Sequence, residues 1–375
     1  MNPVLSLLAS VLCAGPGASL HPVKAVDVAP GGLRLARGVA GSVPAQAFRL
    51  ALGRRQYLLF DLDGDGAVTS GSGDGIALEG QPWVVALAEP WWCEAGQGRL
   101  VVDLRTERAM FAPVGVGVEP GLLADAADVN EVRLRAGLPL LAVDASLSRA
   151  CEKHCDFLKR NGLLLAWKGG MVHFENPKLP GFSAEGQAAG WGSSIQVGAA
   201  SYREAVASWS STVWHAIPML DPALGRCGVA LRHGVAMFYP ASGREEAPLA
   251  GPCAHPPDGA RDVPRFFSVA GEDPSPVAGD TRRGAGSGFP VIVRLPAEWR
   301  AAKLVSFTLT DERGGTVAGH ASAPSKPAHA KRAPGNQGCA VFLPTRPLTS
   351  KHTYRAHLEL EGCDPLVWSF TTGTR

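Results

Sequence analysis

The sequence predicts a multidomain protein with an all-β domain at its N-terminus, a central domain of mixed helix and strand, and a β-sandwich at its C-terminus. Three observations point there. Gly (45) and Pro (30) are abundant while charged residues make up 19% of 375 positions, a balance that suits turn-rich β structure better than long charged helices. Short apolar runs separated by turn residues fill 20–115 and 266–375, and helical periodicity is confined to the stretch between them. A Pro/Gly/charge-rich connector, SGREEAPLAGPCAHPPDGARDVP, occupies 241–265 and marks a domain boundary.

The first residues, MNPVLSLLASVLCAGPGAS, carry an apolar run from Val4 to Cys13 followed by small residues. They predict a secretory signal peptide over 1–19, although the run is not preceded by Lys or Arg; a buried first strand is the alternative. No later stretch reaches the ~18 apolar residues of a membrane span, so no transmembrane segment is expected in the mature chain. Export permits disulfides. Losing Cys13 with the signal leaves seven of the eight cysteines, an odd number that implies a free thiol or a bond between chains. Cys151 could bridge to Cys227 or pack as a free thiol, and Cys339 and Cys363 are expected to pair. Net charge is +2 without a dense Lys/Arg run, so no electrostatic footprint for nucleic acid is visible.

Residues 20–115 read as strands, among them Tyr57–Phe60, Trp83–Ala88 and Leu100–Leu104. One loop has metal-ligand spacing: Asp61, Asp63 and Asp65 alternate, and Gly66 stands sixth, where a calcium loop needs a sharp turn. The twelfth position is Ser72 rather than Glu, and Asp74 could substitute only along a different loop path. A structural Ca²⁺ is expected; a solvated Asp/Gly turn is the alternative.

In the central stretch, Leu122–Arg135 reads as a helix, with Leu123, Ala127, Val129 and Val132 close to one face. A second helix begins after Asp144 as N-cap and ends at Asn161, with Gly162 following. Leu147, Cys151, His154 and Leu158 share its apolar stripe, so His154 is either a core histidine bonded to a backbone carbonyl or a ligand. His173 and Glu175 would share one face of an extended segment. Ser183 caps a helix that opens with Glu185. A further helix spans Ser201–Ser211, with Tyr202, Ala205, Val206 and Trp209 inward, and His215 follows it. Strands Cys227–Leu231 and Val235–Tyr239 close the domain over 120–240. The candidate cleft residues are therefore His173, Glu185 and His215, joined by Glu175 and His154. Two imidazoles and a carboxylate suit a divalent cation such as Zn²⁺ or a polar cleft; a cluster that merely ties three segments together is the alternative.

Asn130-Glu131-x-Arg133, Leu147-Ser148-x-Ala150 with Cys151-x-x-His154, His173, Glu185-Gly186, Ala205-Val206-x-x-Trp209 before His215, and the Gly228 strand resemble, in order and spacing, the CAP superfamily of cysteine-rich secretory, antigen 5 and pathogenesis-related proteins. The resemblance covers about a third of the chain. It implies an α-β-α sandwich with a cleft where two His and two acids can hold a divalent cation. His173, Glu185 and His215 match three of these. The second acid has no match: Ser210 and Ser211 stand in its region, with Glu204 and Glu175 nearby. The C-terminal stretch, through FTLTDERGGTV and LVWSFTT, resembles the Ig-like domain that follows some bacterial members.

The resemblance implies an exported module, secreted, periplasmic or on the cell surface, that binds a small molecule, lipid or cell-envelope component without catalysis. Trp167, Trp191, Trp209 and Trp214 could line an apolar groove or belong to the core. Alternatives are a hydrolase using His173 or His215 as base, with Ser193, Ser194, Ser210 or Ser211 as nucleophile, and a structural adhesin with a filled cleft. Neither GxSxG nor HExxH is present.

Overall fold

A computed structural model describes residues 19–374 apart from 29–33, 36–41, 53–54, 65–66, 70–73, 80–82, 88–90, 94–95, 104–107, 114–119, 139, 164–170, 241–250, 268–271, 278–285 and 332. Positions 1–18 of the expected signal peptide, Asp65, Trp167 and positions 241–250 of the connector thus lie outside the described residues.

The N-terminal strands, from Ser19–Asp27 to Arg108–Pro113, join in a ten-stranded sheet. Ala47, Leu58, Phe60, Ala77 and Val84 form a core against it. The Arg55–Phe60 strand pairs antiparallel with Gly75–Leu78, Phe60 opposite Gly75. That register sets Asp61, just past one strand, beside Asp74, just before the other.

The central domain has three layers. Its sheet runs in the order Ala142–Val143, Arg226–Arg232, Val235–Tyr239, Ser194–Val197, parallel in the first pair and antiparallel thereafter. Helices α1 (Pro120–Arg135), α4 (Tyr202–Ser210) and the short α5 (Ala216–Met219) cover one face; α2 (Ala145–Arg160) and α3 (Ala184–Gly192) cover the other. The period-2 alternation of a strand produces the split. Ala236 and Phe238 pack with Val129, Tyr202 and Trp209, while Val235, Met237 and Tyr239 pack with Phe157, Leu158 and Ala189.

Local chemistry sets the helix ends. The Asp144 carboxylate accepts the Ser146 and Leu147 amides, and Gly162, at φ +66°, turns the chain after α2. Ser183 accepts the Gly186 amide to start α3, and Ser201 accepts the Glu204 amide to start α4. The Asn130 and Arg133 pair of α1 is structural. Asn130 clasps both the N–H and the C=O of Leu141 (2.8 and 3.0 Å). Arg133, fully buried, donates to the carbonyls of Met219 and Asp221 at 2.8 Å. Burial pushes its pKa down to about 10, against the opposing pull of Asp221.

The C-terminal unit consists of two four-stranded sheets, Cys253–His255, Val291–Arg294, Cys339–Pro344 and Gly319–Ser322 in one, and Ala260–Val263, Leu366–Thr372, Thr353–Leu360 and Leu304–Asp311 in the other. Two segments of the expected connector are thus strands of this sandwich. Its inner core includes Val291, Val293, Phe342, Leu358 and Trp368. The first sheet is apolar on both faces. Its outward residues Ile292, Cys339, Val341 and Leu343 pack against Val213, Ala216, Ile217 and Leu220 of the central domain, so two units share one core. Sheets buried on both sides read as continuous apolar runs, and VIV and CAVFL are such runs.

The expected disulfides are not formed: Cys151, Cys155, Cys227, Cys253, Cys339 and Cys363 are free thiols. Cys151 packs on the α2/α3 side of the sheet and Cys227 on the α1/α4 side. Cys339 faces the core shared between units, whereas Cys363 sits in a turn beside the other sheet. Burial raises the thiol pKa values of Cys155, Cys227 and Cys253 to about 12, so these groups are packing residues rather than reactive ones.

Candidate functional site

The central imidazoles are held by three kinds of anchor. His154 projects from α2 toward α3 and the segment around Val172 and is fully buried, as is Glu175. Its Nε2 is 2.7 Å from the Val172 carbonyl, an acceptor, so Nε2 carries a proton. Its Nδ1 lies 3.0 Å from Glu175 Oε1, and that contact needs a proton of its own. The other carboxylate oxygen of Glu175 accepts the Ser183 amide at 2.9 Å. Close backbone approach makes the pair possible: a Cβ at Gly186 would stand 2.3 Å from Glu175 Oε1, and one at Gly190 2.4 Å from His154 Cε1. The pair ties α2, the Met171–His173 turn and α3 together, and His154 makes the backbone-carbonyl bond that a core histidine was expected to make.

His173 does not share a face with Glu175, because Met171–His173 is a 3₁₀ turn rather than extended chain. Glu175 turns inward to His154, while His173 Nδ1 donates to the Gly190 carbonyl at 2.8 Å. In the neutral ring this leaves Nε2 as a bare lone pair. Burial pushes the His173 pKa below the ordinary histidine range, the Gly190 bond opposes this, and His215 and His154 push it lower. Beside His173, the exposed rings of Phe174 and Trp191 meet edge to face with centroids 4.9 Å apart. Trp209 is core, and Trp214 is half-buried with its Nε1 donating to the Pro274 carbonyl.

His215 lies between α4 and α5. Its Nδ1 is 2.9 Å from Glu272 Oε1 and 3.2 Å from Thr212 Oγ1. Glu272, 3% exposed, comes from the connection between the Ala260–Val263 and Val291–Arg294 strands of the C-terminal sandwich. It was missed in the sequence, where GEDPSP has the composition of a solvated turn.

Glu185 is not brought to these rings. It stands in the first turn of α3, largely exposed, 3.5 Å from Lys153 Nζ. Its own backbone N–H, and then Lys153, hold its carboxyl below the usual range. His173, Glu185 and His215 do not form a group of three with ligand atoms within 4.8 Å of one another; among the described residues Asp61, Asp63 and Asp74 do. There the Leu62 amide donates to Asp74 Oδ1 at 3.0 Å and the Gly64 amide to Asp61 Oδ1 at 2.6 Å. Three hard carboxylates drawn together by the strand register suit Ca²⁺. His173 and His215, each with an anchored Nδ1–H, do not make a closed four-ligand zinc site; a cation held by them would take its other positions from water or a ligand.

The hydroxyl groups near His215 donate to helix carbonyls. Ser210 and Ser211 donate to the Val206 and Ala207 carbonyls, and Thr212 to the Trp209 carbonyl. No helix among the described residues is long and apolar enough to cross a membrane.

Residues 126–234 match the family model described as CAP, the cysteine-rich secretory protein family. The match supports placing this segment in the CAP superfamily and covers under a third of the chain. No curated protein matches. Among solved structures, the chain is similar to an extracellular protein containing an SCP domain from Bacillus anthracis str. Ames. Identity is 15% and the TM-score 0.23, over 51% of this chain and 65% of that one.

Proposed function

We propose that this chain is an exported CAP-superfamily protein, with an Ig-like C-terminal sandwich, that binds a ligand or partner in its central domain without catalysing a reaction. What carries the reading is the juxtaposition around His173. His173, anchored at Nδ1, has the exposed Phe174–Trp191 pair beside it, and a second imidazole anchored at Nδ1, His215, follows α4 in the same domain. Such a surface joins ring-nitrogen lone pairs to an apolar face, which suits a small molecule, a lipid or a cell-envelope component. His173 and His215 are the residues that would hold a divalent cation, which would act as a fixed positive charge for an anionic ligand group.

The test is calorimetric titration of the full chain with ZnCl₂, alongside His173→Ala and His215→Ala. Binding in the wild type that each substitution weakens at least about tenfold is expected. Zinc binding indifferent to both substitutions removes the reading. A second reading concerns the N-terminal domain, where the Asp61, Asp63 and Asp74 group favours a structural Ca²⁺.

A further inference from the structure

The Glu272 carboxylate is enclosed by donors from one short turn. Oε2 accepts the Val213 amide at 2.7 Å; Oε1 accepts the Trp214 amide at 2.6 Å, the His215 amide at 3.1 Å and His215 Nδ1 at 2.9 Å. A buried carboxylate costs several kcal/mol unless its oxygens are satisfied, and here three successive amides and a ring nitrogen satisfy them. The same segment is fastened again where Trp214 Nε1 donates to the Pro274 carbonyl at 2.8 Å. Around it, the core shared between the units holds Val213, Ala216 and Ile217 in place.

The consequence falls on the ring. Both oxygens are acceptors, so Nδ1 is the donor, and the neutral His215 ring keeps its lone pair on Nε2. His173 has the same protonation through the Gly190 carbonyl. A ring nitrogen that ligates is normally set up in this way, by a carboxylate or carbonyl holding the opposite N–H.

We infer that Glu272 is a positioning residue of the cleft: supplied by the C-terminal unit, it fixes the ring and tautomer of His215, so that binding in the central domain depends on the unit that follows it. The inference rests on the cleft reading above. It gives the C-terminal sandwich a role beyond support, and it places one determinant of the site outside the family-matched residues 126–234.

The test uses the full chain with ¹⁵N-labelled histidine. Nitrogen chemical shifts report which ring nitrogen of His215 bears the proton, and ZnCl₂ titration reports affinity, in the wild type and in Glu272→Gln. The expected wild-type state is protonated Nδ1 and bare Nε2. Glu272→Gln should move His215 toward the other tautomer and weaken zinc binding about tenfold, with the His173 signals unchanged. A wild-type His215 protonated on Nε2 overturns the proposal, as does a Glu272→Gln chain with unaltered tautomer and affinity. If the wild type binds no zinc while the tautomer still shifts, the cation reading fails and the positioning role stands. Should Glu272→Gln not fold, the wild-type spectrum together with Glu272→Asp decides in the same way.

Discussion

Replacing His154 by Ala should be among the most damaging single changes in the central domain. Its side chain and that of Glu175 are both fully buried. The substitution would leave the Glu175 carboxylate with a cavity where Nδ1 stood, still accepting the Ser183 amide, and would leave the Val172 carbonyl without its 2.7 Å donor. Breaking a buried pair by removing one partner costs roughly 3–5 kcal/mol, and an orphaned buried acceptor roughly 1–3 kcal/mol. These overlap, so a total near 4 kcal/mol is expected, against the roughly 5–15 kcal/mol that holds a typical domain. Urea unfolding followed by tryptophan fluorescence measures it, since Trp209 is buried in the same domain. The double variant His154→Phe/Glu175→Leu, apolar at both positions, should recover much of the loss. A loss below about 1 kcal/mol for His154→Ala, or a double variant worse than the single, would refute the account.

Three further outcomes follow from the same structure. Gly190→Ala drives a methyl against the His154 ring and should destabilise by roughly 1–3 kcal/mol, measured by thermal unfolding. His255, buried with Nε2 bonded to the Ser210 carbonyl, has its pKa lowered by burial from 6.5 to about 4. The unfolded chain therefore binds the extra proton first, and stability should fall as pH drops from 6.5 toward 4, by up to roughly 3 kcal/mol. His255→Gln should remove that part of the slope in urea titrations at successive pH values. Millimolar Ca²⁺ should raise the melting temperature of the wild type, and Asp74→Asn should abolish the rise; an equal rise in both variants would exclude this group.

Much of the secondary structure was legible locally. Asp144, Ser183 and Ser201 each cap a helix through amides two or three residues on, and the inward set Tyr202, Ala205, Val206 and Trp209 follows from helical spacing alone. The alternation in Val235–Tyr239 likewise fixes which residues face which layer. Contacts over long separation were not legible. His154 was placed on the buried stripe, but its partner Glu175 depends on a 3₁₀ turn that sends His173 and Glu175 in different directions. Glu185 matched a motif, yet the first turn of α3 points it to Lys153 and solvent.

What the sequence determined by itself is the set of elements, their caps and their apolar faces, because those are encoded within a turn or two of chain. Which distant polar groups meet follows only from how the layers stack. Asp74 joins Asp61 through a strand register. Glu272 reaches His215 across a sequence separation of 57 because a sheet apolar on both faces must bury its outer side against the central domain. Apolar burial has no directional signature in a sequence, so the partners it brings together appear only once the layers are stacked.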